Sequence, residues 1–142
     1  MSTSSLDRAT YRFVVPNSAI APKIGRDLLA TLLAVTGHPL LVEAARLCVS
    51  EVITNVHLHT RTALVYVDVS VRPGNIWVAV WDDEWRTRPA PAPSDHYTDE
   101  ERGRGLLLVT SLSAQWGVAW PVEEARARKR VWFTLDETAL AA

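Results

Sequence analysis

The sequence has a single cysteine and no long membrane-type hydrophobic run, and each absence excludes a class of protein. With only Cys48 available, no internal disulfide can form and a cysteine-rich zinc site is excluded. The longest uncharged stretch, residues 105–122, contains polar residues and Pro121, which favours a helix followed by a strand over a membrane span. The N-terminus has no basic segment before an apolar run, so it is not a secretory signal. We therefore expect a cytoplasmic protein in which Cys48 is an ordinary buried thiol.

A strong excess of charge of one sign is also missing. The formal net charge is -1 at pH 7, so nothing in the bulk charge indicates a nucleic acid or an anionic membrane as partner. The 142 residues are 48% hydrophobic and 22% charged, which is typical of a soluble globular domain. We expect a disordered leader at residues 1–8, one domain at 9–138 and a short tail at 139–142.

The hydrophobic pattern divides this domain into the order β-α-α-β-β-loop-α-β-β. Residues 11–15, 63–71, 76–81, 116–120 and 130–135 have the composition of strands. A first helix, capped by Asn17 or Ser18, runs to Val35, a second spans 40–59, and a third begins near Gly103 and extends to Leu112. This order predicts an α+β fold, a two-layer sandwich with helices on one face of a mostly antiparallel sheet.

A line of polar residues on the second helix is a first candidate for chemistry. Glu51, Asn55 and His59 are spaced four apart, so they follow one line that drifts by about 40° per step. An amide oxygen suits magnesium, and a carboxylate one turn away can orient or deprotonate a hydroxyl group. The alternative is a solvent-facing polar stripe, and His59 alone fits a residue that completes hydrogen bonds at a helix end.

Two further elements follow along the chain. Asp82 ends a core strand, where a carboxylate can accept a hydrogen bond from an exocyclic amine or simply terminate the strand at the surface. The Pro-rich loop at 83–102 is long for a compact domain and is either filler or a mobile lid. After it, Gly103-Arg104-Gly105-Leu106 opens a helix, where glycines and helix N–H groups favour a phosphate.

In combination these elements resemble the GHKL (Bergerat-fold) ATP-binding superfamily, in particular the short bacterial anti-sigma factor serine kinases. Residues 50–59 look like the N box, Asp82 matches the acid of the first glycine box, and residues 103–109 resemble the second. The resemblance continues through Trp116-Gly117 and residues 131–133. It implies a Bergerat-type sandwich that uses ATP and Mg²⁺.

The resemblance also implies a role for each matching residue. Glu51 would be the catalytic residue, as general base or water-orienting acid, Asn55 would bind Mg²⁺ with the nucleotide, and Asp82 would bind adenine. Gly103, Arg104, Gly105 and Leu106 would shape the phosphate lid. One departure stands out, because Glu84 and Arg86 occupy the two glycine positions of the first glycine box, which favours weaker ATP binding.

Three functions remain open at this point. The first is an ATP- and magnesium-dependent serine/threonine protein kinase that regulates transcription by partner switching, with an anti-sigma antagonist-like protein and a sigma factor as partners. The second is a catalytically weak or inactive module that sequesters a protein partner without phosphoryl transfer. The third, the catalytic part of a sensor histidine kinase, would need a separate subunit with the phospho-accepting histidine.

Six tryptophans are many for this length. Trp77 and Trp81 are four apart in one strand, as are Trp116 and Trp120, so each pair should share a face of the sheet. They serve either core packing or an exposed aromatic face for a homodimer or another partner.

Overall fold

Five strands in the described part of the chain form one antiparallel sheet. The computed structural model describes residues 8–83, 106–119 and 129–138. The strands are β1 (Ala9–Pro16), β2 (Leu64–Arg72), β3 (Asn75–Asp82), β4 (Gln115–Ala119) and β5 (Arg130–Asp136), in the order β1-β2-β3-β5-β4. Pro16 closes β1, an edge strand, where the missing N–H costs no ladder hydrogen bond.

The alternation of apolar residues decides which face of the sheet is covered. Along β2, Val65, Val67 and Val69 are fully buried, whereas Tyr66 and Ser70, on the alternate positions, are only half-buried, and Asp68 between them is buried at 9% exposure. Successive side chains of a strand point to opposite faces, so one face carries the core and the other does not. The valines belong to a single apolar cluster that also includes the buried side chains of the helices.

Three helices of the described residues lie over the core face. They are α1 (Ala21–Val35), α2 (Val42–His59) and α3 (Leu107–Leu112). α1 and α2 pack against each other, and Gly25 of α1 lies so close to Ile53 of α2 that a Cβ would collide with that side chain. α3 packs on α2 and on β4. The predicted α+β sandwich, with helices on one face of an antiparallel sheet, is confirmed.

Two predicted helix starts were wrong. Neither Asn17 nor Ser18 caps α1, which has Ile20 at the N-cap and no side-chain capping bond. The Asn17 side chain makes long-range hydrogen bonds instead, as described below. The second helix begins at Val42 rather than residue 40, because Pro39–Leu41 forms a separate 3-10 turn with the proline in its first position.

The β2–β3 hairpin closes through a two-residue turn at Pro73 and Gly74, as the sequence predicted. Arg72 pairs with Asn75 across this turn. Gly74 has φ of 78°, a region that costs other residues strain but not glycine. Pro73 has its own φ fixed by its ring at the first turn position, so the two residues together fix the register of the hairpin.

The second face of the sheet carries aromatic and charged side chains. Trp77 and Trp81 share it, as predicted, because the guanidinium of Arg130 lies 5.8 Å from the centre of the first ring and 5.1 Å from the second. The indole N–H of Trp81 donates to the carboxylate of Asp68 at 2.9 Å, and Arg12 holds that carboxylate through two bonds of 2.6 and 2.9 Å. Hydrogen bonding to Asp68 raises the pKa of the Arg12 guanidinium.

The other tryptophans divide between the two faces. Trp116 packs against the apolar core, whereas Trp132 lies on the second face, over Gly117 of the neighbouring strand. Trp85 and Trp120 fall outside the described residues. Within the described residues, no helix combines the length and apolarity needed to cross a membrane.

Candidate functional site

Asp82 and the C-terminal turns of α2, which carry Asn55 and His59, lie toward one end of the sheet, the end at which β2 begins and β3 finishes. We call this the Asp82 end. Val65 pairs with Asp82 across β2 and β3, and Arg130 at the start of β5 pairs with Trp81. α2 also finishes here, because residues 60–63 lead directly from its last turn into β2. Antiparallel order thus places the C-terminal turn of α2 near the last residue of β3.

Asp82 is a buried carboxylate at this end. It is 3% exposed, and its position in the alternation of Ile76, Val78 and Val80 directs its side chain to the helical layer. Its backbone N–H donates to the carbonyl of Lys129 at 3.3 Å, which extends the β3–β5 ladder by one residue. A carboxylate accepts hydrogen bonds, so this position suits recognition of a donor group.

Glu51 and Asn55 lie on one edge of α2, and both are half-buried. Ile53 marks the edge in contact with α1, and residues two apart on a helix differ by about 200° in direction. Asn55 is therefore on the edge turned away from α1, and Glu51 lies one turn before it. His59, the last residue of the line, is exposed at the helix end.

Cys48 lies about one turn before Glu51 on α2, on the core side of the helix. Burial raises the pKa of the Cys48 thiol from 9.0 to about 12, and the negative charge of Glu51 adds to the shift. The thiol is fully buried and unpaired, as predicted for an inert core cysteine.

The residues that join α2 to β2 form a polar network that sequence reasoning missed. Thr62 is 5% exposed, and its hydroxyl contacts the Asp83 carboxylate and accepts the Asp83 N–H at 2.9 Å. The Asn17 amide donates to the Thr62 carbonyl at 2.8 Å, and its oxygen accepts from His57 Nδ1 at 2.9 Å. A threonine between a helix and a strand carries no sequence signal for this role, since its partners are remote in the chain.

Several predicted site features fall outside the described residues. These are the loop at 83–102, apart from Asp83, and Gly103, Arg104 and Gly105 of the phosphate lid. The leader at 1–7 and the tail from 139 onward lie outside as well. Leu106 is described; it is 3% exposed and stands immediately before the first turn of α3. Leu106 thus belongs to the apolar core cluster that the helices share with the sheet.

This arrangement defines a class of protein. It is an α+β sandwich whose longest described helix, α2, carries Glu51 and Asn55 one turn apart. In the sheet below it, β3 ends at the buried Asp82. The sequence model of the histidine kinase-like ATPase domain matches residues 19–134 of this chain. The chain therefore belongs to the histidine kinase-like ATPase domain family, and it is an ATP-binding module of that kind. No curated protein matches the chain significantly.

Proposed function

We propose that this protein is a cytoplasmic serine/threonine protein kinase of the anti-sigma factor type, which regulates transcription by partner switching. Its substrate would be an anti-sigma antagonist-like protein, and its target a sigma factor. The observation that carries the proposal is the placement of Glu51 and Asn55 one turn apart on the half-buried edge of α2. Membership of an ATP-binding family supports the use of ATP.

The residues present fit a nucleotide with magnesium. Asn55 offers a side-chain oxygen of the hard type that Mg²⁺ prefers, and Mg²⁺ commonly takes its other ligands from phosphates and water. Asp82, buried at the end of β3, offers an acceptor for the amine of adenine. Bound together, ATP would supply the transferable phosphoryl group and Mg²⁺ would offset the charge on its phosphates. Within the described residues, no three His, Cys, Asp or Glu side chains form a metal-binding cluster.

Glu51 would act on the protein substrate. Its carboxylate would accept the proton of the attacking serine or threonine hydroxyl, or hold that hydroxyl in line. Half-burial keeps the carboxylate accessible while the core side of α2 fixes its backbone. A general base of this kind contributes about a hundredfold or more to the rate.

The test is transfer of labelled phosphate from ATP to each anti-sigma antagonist protein of the same cell. We expect one of them to be phosphorylated, and Glu51→Gln to lower the rate by about a hundredfold with little loss of ATP binding. Glu43→Gln is the matched control, because Glu43 is an exposed acid in the first turn of the same helix. It should leave the rate unchanged.

A second candidate is a module that sequesters its partner without transferring phosphate. The sequence observation that favours it is the charged pair Glu84 and Arg86 at the two glycine positions after Asp82. It predicts that Glu51→Gln leaves binding of the partner and any cellular phenotype unchanged. Failure to phosphorylate any antagonist, in an assay where an active kinase of this type succeeds, would reject the kinase and favour this module. The predicted homodimer stays a prediction in either case.

A further inference from the structure

The hydroxyl of Thr62 is a meeting point of three groups. Its oxygen contacts the side-chain carboxylate of Asp83, accepts the Asp83 backbone N–H at 2.9 Å, and lies 2.9 Å from the carbonyl oxygen of Leu64. We call the two-point contact between Thr62 and Asp83 the Thr62 clasp. It holds both the backbone and the side chain of the residue that follows Asp82.

Thr62 is itself held in place from several directions. Its N–H donates to Thr60 Oγ1 at 3.3 Å, and Thr60 Oγ1 donates to the carbonyl of Val56 in the last turn of α2. Its carbonyl accepts the amide of Asn17, which ties it to the loop before α1. Because Asn17 donates through its nitrogen, its oxygen is the acceptor for His57, whose Nδ1 must carry the proton. The clasp is therefore anchored to the last turn of α2 and to the segment that joins β1 to α1.

Strand β3 ends at Asp82, and its backbone N–H makes the last ladder bond, to Lys129. Beyond this point the sheet no longer fixes the chain, yet the direction of the Asp82 side chain depends on the backbone torsions on both sides of it. The Thr62 clasp fixes the far side. In this sequence, the next positions are Glu84 and Trp85 and not a glycine turn.

We propose that Thr62 is a positioning residue for nucleotide-base recognition: by holding Asp83, it keeps the Asp82 carboxylate aimed at the exocyclic amine of adenine. The inference rests on the proposed role of Asp82 in binding ATP. Thr62 does not touch the nucleotide in this scheme. Its contribution is to adenine specificity, because a misdirected carboxylate loses the directional bond to the amine but not the phosphate contacts.

The experiment compares two nucleotides by calorimetric titration in the presence of Mg²⁺. ATP carries the 6-amino group, and purine riboside triphosphate lacks it. The wild-type protein should bind ATP about tenfold more tightly, since a hydrogen bond to a charged group gives at least that ratio. Thr62→Val, which keeps the shape and removes the hydroxyl, should bring the ratio close to one. Thr62→Ser, which keeps the hydroxyl, should restore it.

The controls separate this inference from the proposed function. Asp82→Asn should also lose the preference, and Thr36→Val should retain it, because Thr36 closes α1 at the other end of the sheet. If Thr62→Val lowers the affinity for both nucleotides by the same factor, so that the roughly tenfold preference for ATP remains, the role of Thr62 is purely structural and the inference is overturned. If Asp82→Asn loses the preference and Thr62→Val keeps it, the role of Asp82 stands and that of Thr62 falls. No ATP preference in the wild type would overturn both.

Thermal melting checks that Thr62→Val folds. A second variant keeps the test valid if it does not. Asp83→Ala removes the side-chain half of the Thr62 clasp and leaves the connector sequence intact. We expect it to lower the ATP preference in the same direction, by less than Thr62→Val. An unchanged ratio in Asp83→Ala, with Thr62→Val unfolded, would count against the inference.

Discussion

Helices α1 and α2 finish at opposite ends of the sheet, and each is followed by a threonine that bonds back to its last turn. Thr36 Oγ1 donates to Leu32, four residues earlier, at 2.8 Å, and Thr60 Oγ1 donates to Val56 at 2.9 Å. The segments that follow the two threonines differ. After α1, Gly37 takes φ of 84° and the next N–H returns to Leu33, a Schellman-type ending. After α2, Thr60 is extended and the chain enters the polar network of Thr62.

The histidines at the two ends show the same contrast. His38 is 5% exposed, and its Nε2 donates to the carbonyl of Arg72 at 2.7 Å, which joins the end of α1 to the β2–β3 hairpin. His57 donates to Asn17, and Asn17 donates to the carbonyl of Thr62, the residue that contacts Asp83. The far end is thus closed by the Gly37 turn and by the bond from the His38 side chain to a backbone carbonyl. The Asp82 end is closed by side chains next to the proposed nucleotide site, so only there should substitution alter ligand binding.

The largest expected effect is at the Asp82 end. Asn55→Ala should weaken magnesium-dependent ATP binding by about a hundredfold or more, since losing a direct metal ligand exceeds the loss typical of outer-shell partners. Asn75→Ala is the matched control, because Asn75 is a half-buried asparagine at the far end. Calorimetric titration with and without Mg²⁺ measures both. Equal affinities of Asn55→Ala and the wild type would remove Asn55 from the site.

At the far end, His38→Ala should affect stability alone. The variant loses a buried hydrogen bond and leaves the Arg72 carbonyl without its partner, which costs about 2 kcal/mol in the free energy of unfolding. Urea denaturation measures this cost. The dissociation constant for ATP, measured where both proteins are folded, should stay within about twofold, well below the tenfold that 1.4 kcal/mol would produce. A tenfold change would show that the two ends are coupled.

The smallest expected effect lies between the ends, at Cys48 in the middle of α2. Its thiol has a pKa of about 12 in the folded protein and an ordinary value of 9.0, so above pH 9 only the unfolded chain readily loses the proton. The free energy of unfolding should therefore fall as the pH rises from 9 toward 12, by at most about 1.4 kcal/mol per pH unit from this group. Below pH 9 this contribution is complete.

The matched measurement is urea denaturation of the wild type and of Cys48→Ala at several values between pH 8.5 and 10.5. The wild type should lose stability more steeply, and the difference in slope isolates the thiol from other titrating groups. Parallel slopes would mean that Cys48 is more accessible than its full burial indicates.

Much of the fold was predictable because its signals are local. Valine at every second position specifies β2, Pro73 and Gly74 specify the hairpin, and the three- and four-residue spacing of apolar residues specifies α1 and α2. The start of α2 was not predictable, because the segment Gly37-His38-Pro39 fits either a helix start or the observed 3-10 turn.

The site was predictable only in part, for a related reason. A spacing of four places Glu51 and Asn55 on one edge of a helix whatever surrounds it. Which edge that is, and how far it is buried, depends on the packing of α1 against Ile53. Asn17 was assigned a local capping role, but its partners are 40 and 45 residues away. Thr62 depends on the same long-range packing, so no sequence pattern distinguishes it from other loop threonines.

The fluorescence of Trp81 follows from its place in the sheet. It is the residue before Asp82 in β3, but its indole lies on the second face of the sheet, held by Asp68 and covered by the guanidinium of Arg130. Any shift in the backbone at Asp82 must move this ring against two fixed charges. The emission of Trp81 should therefore respond to events on the helical face while the fluorophore itself stays out of contact with the ligand.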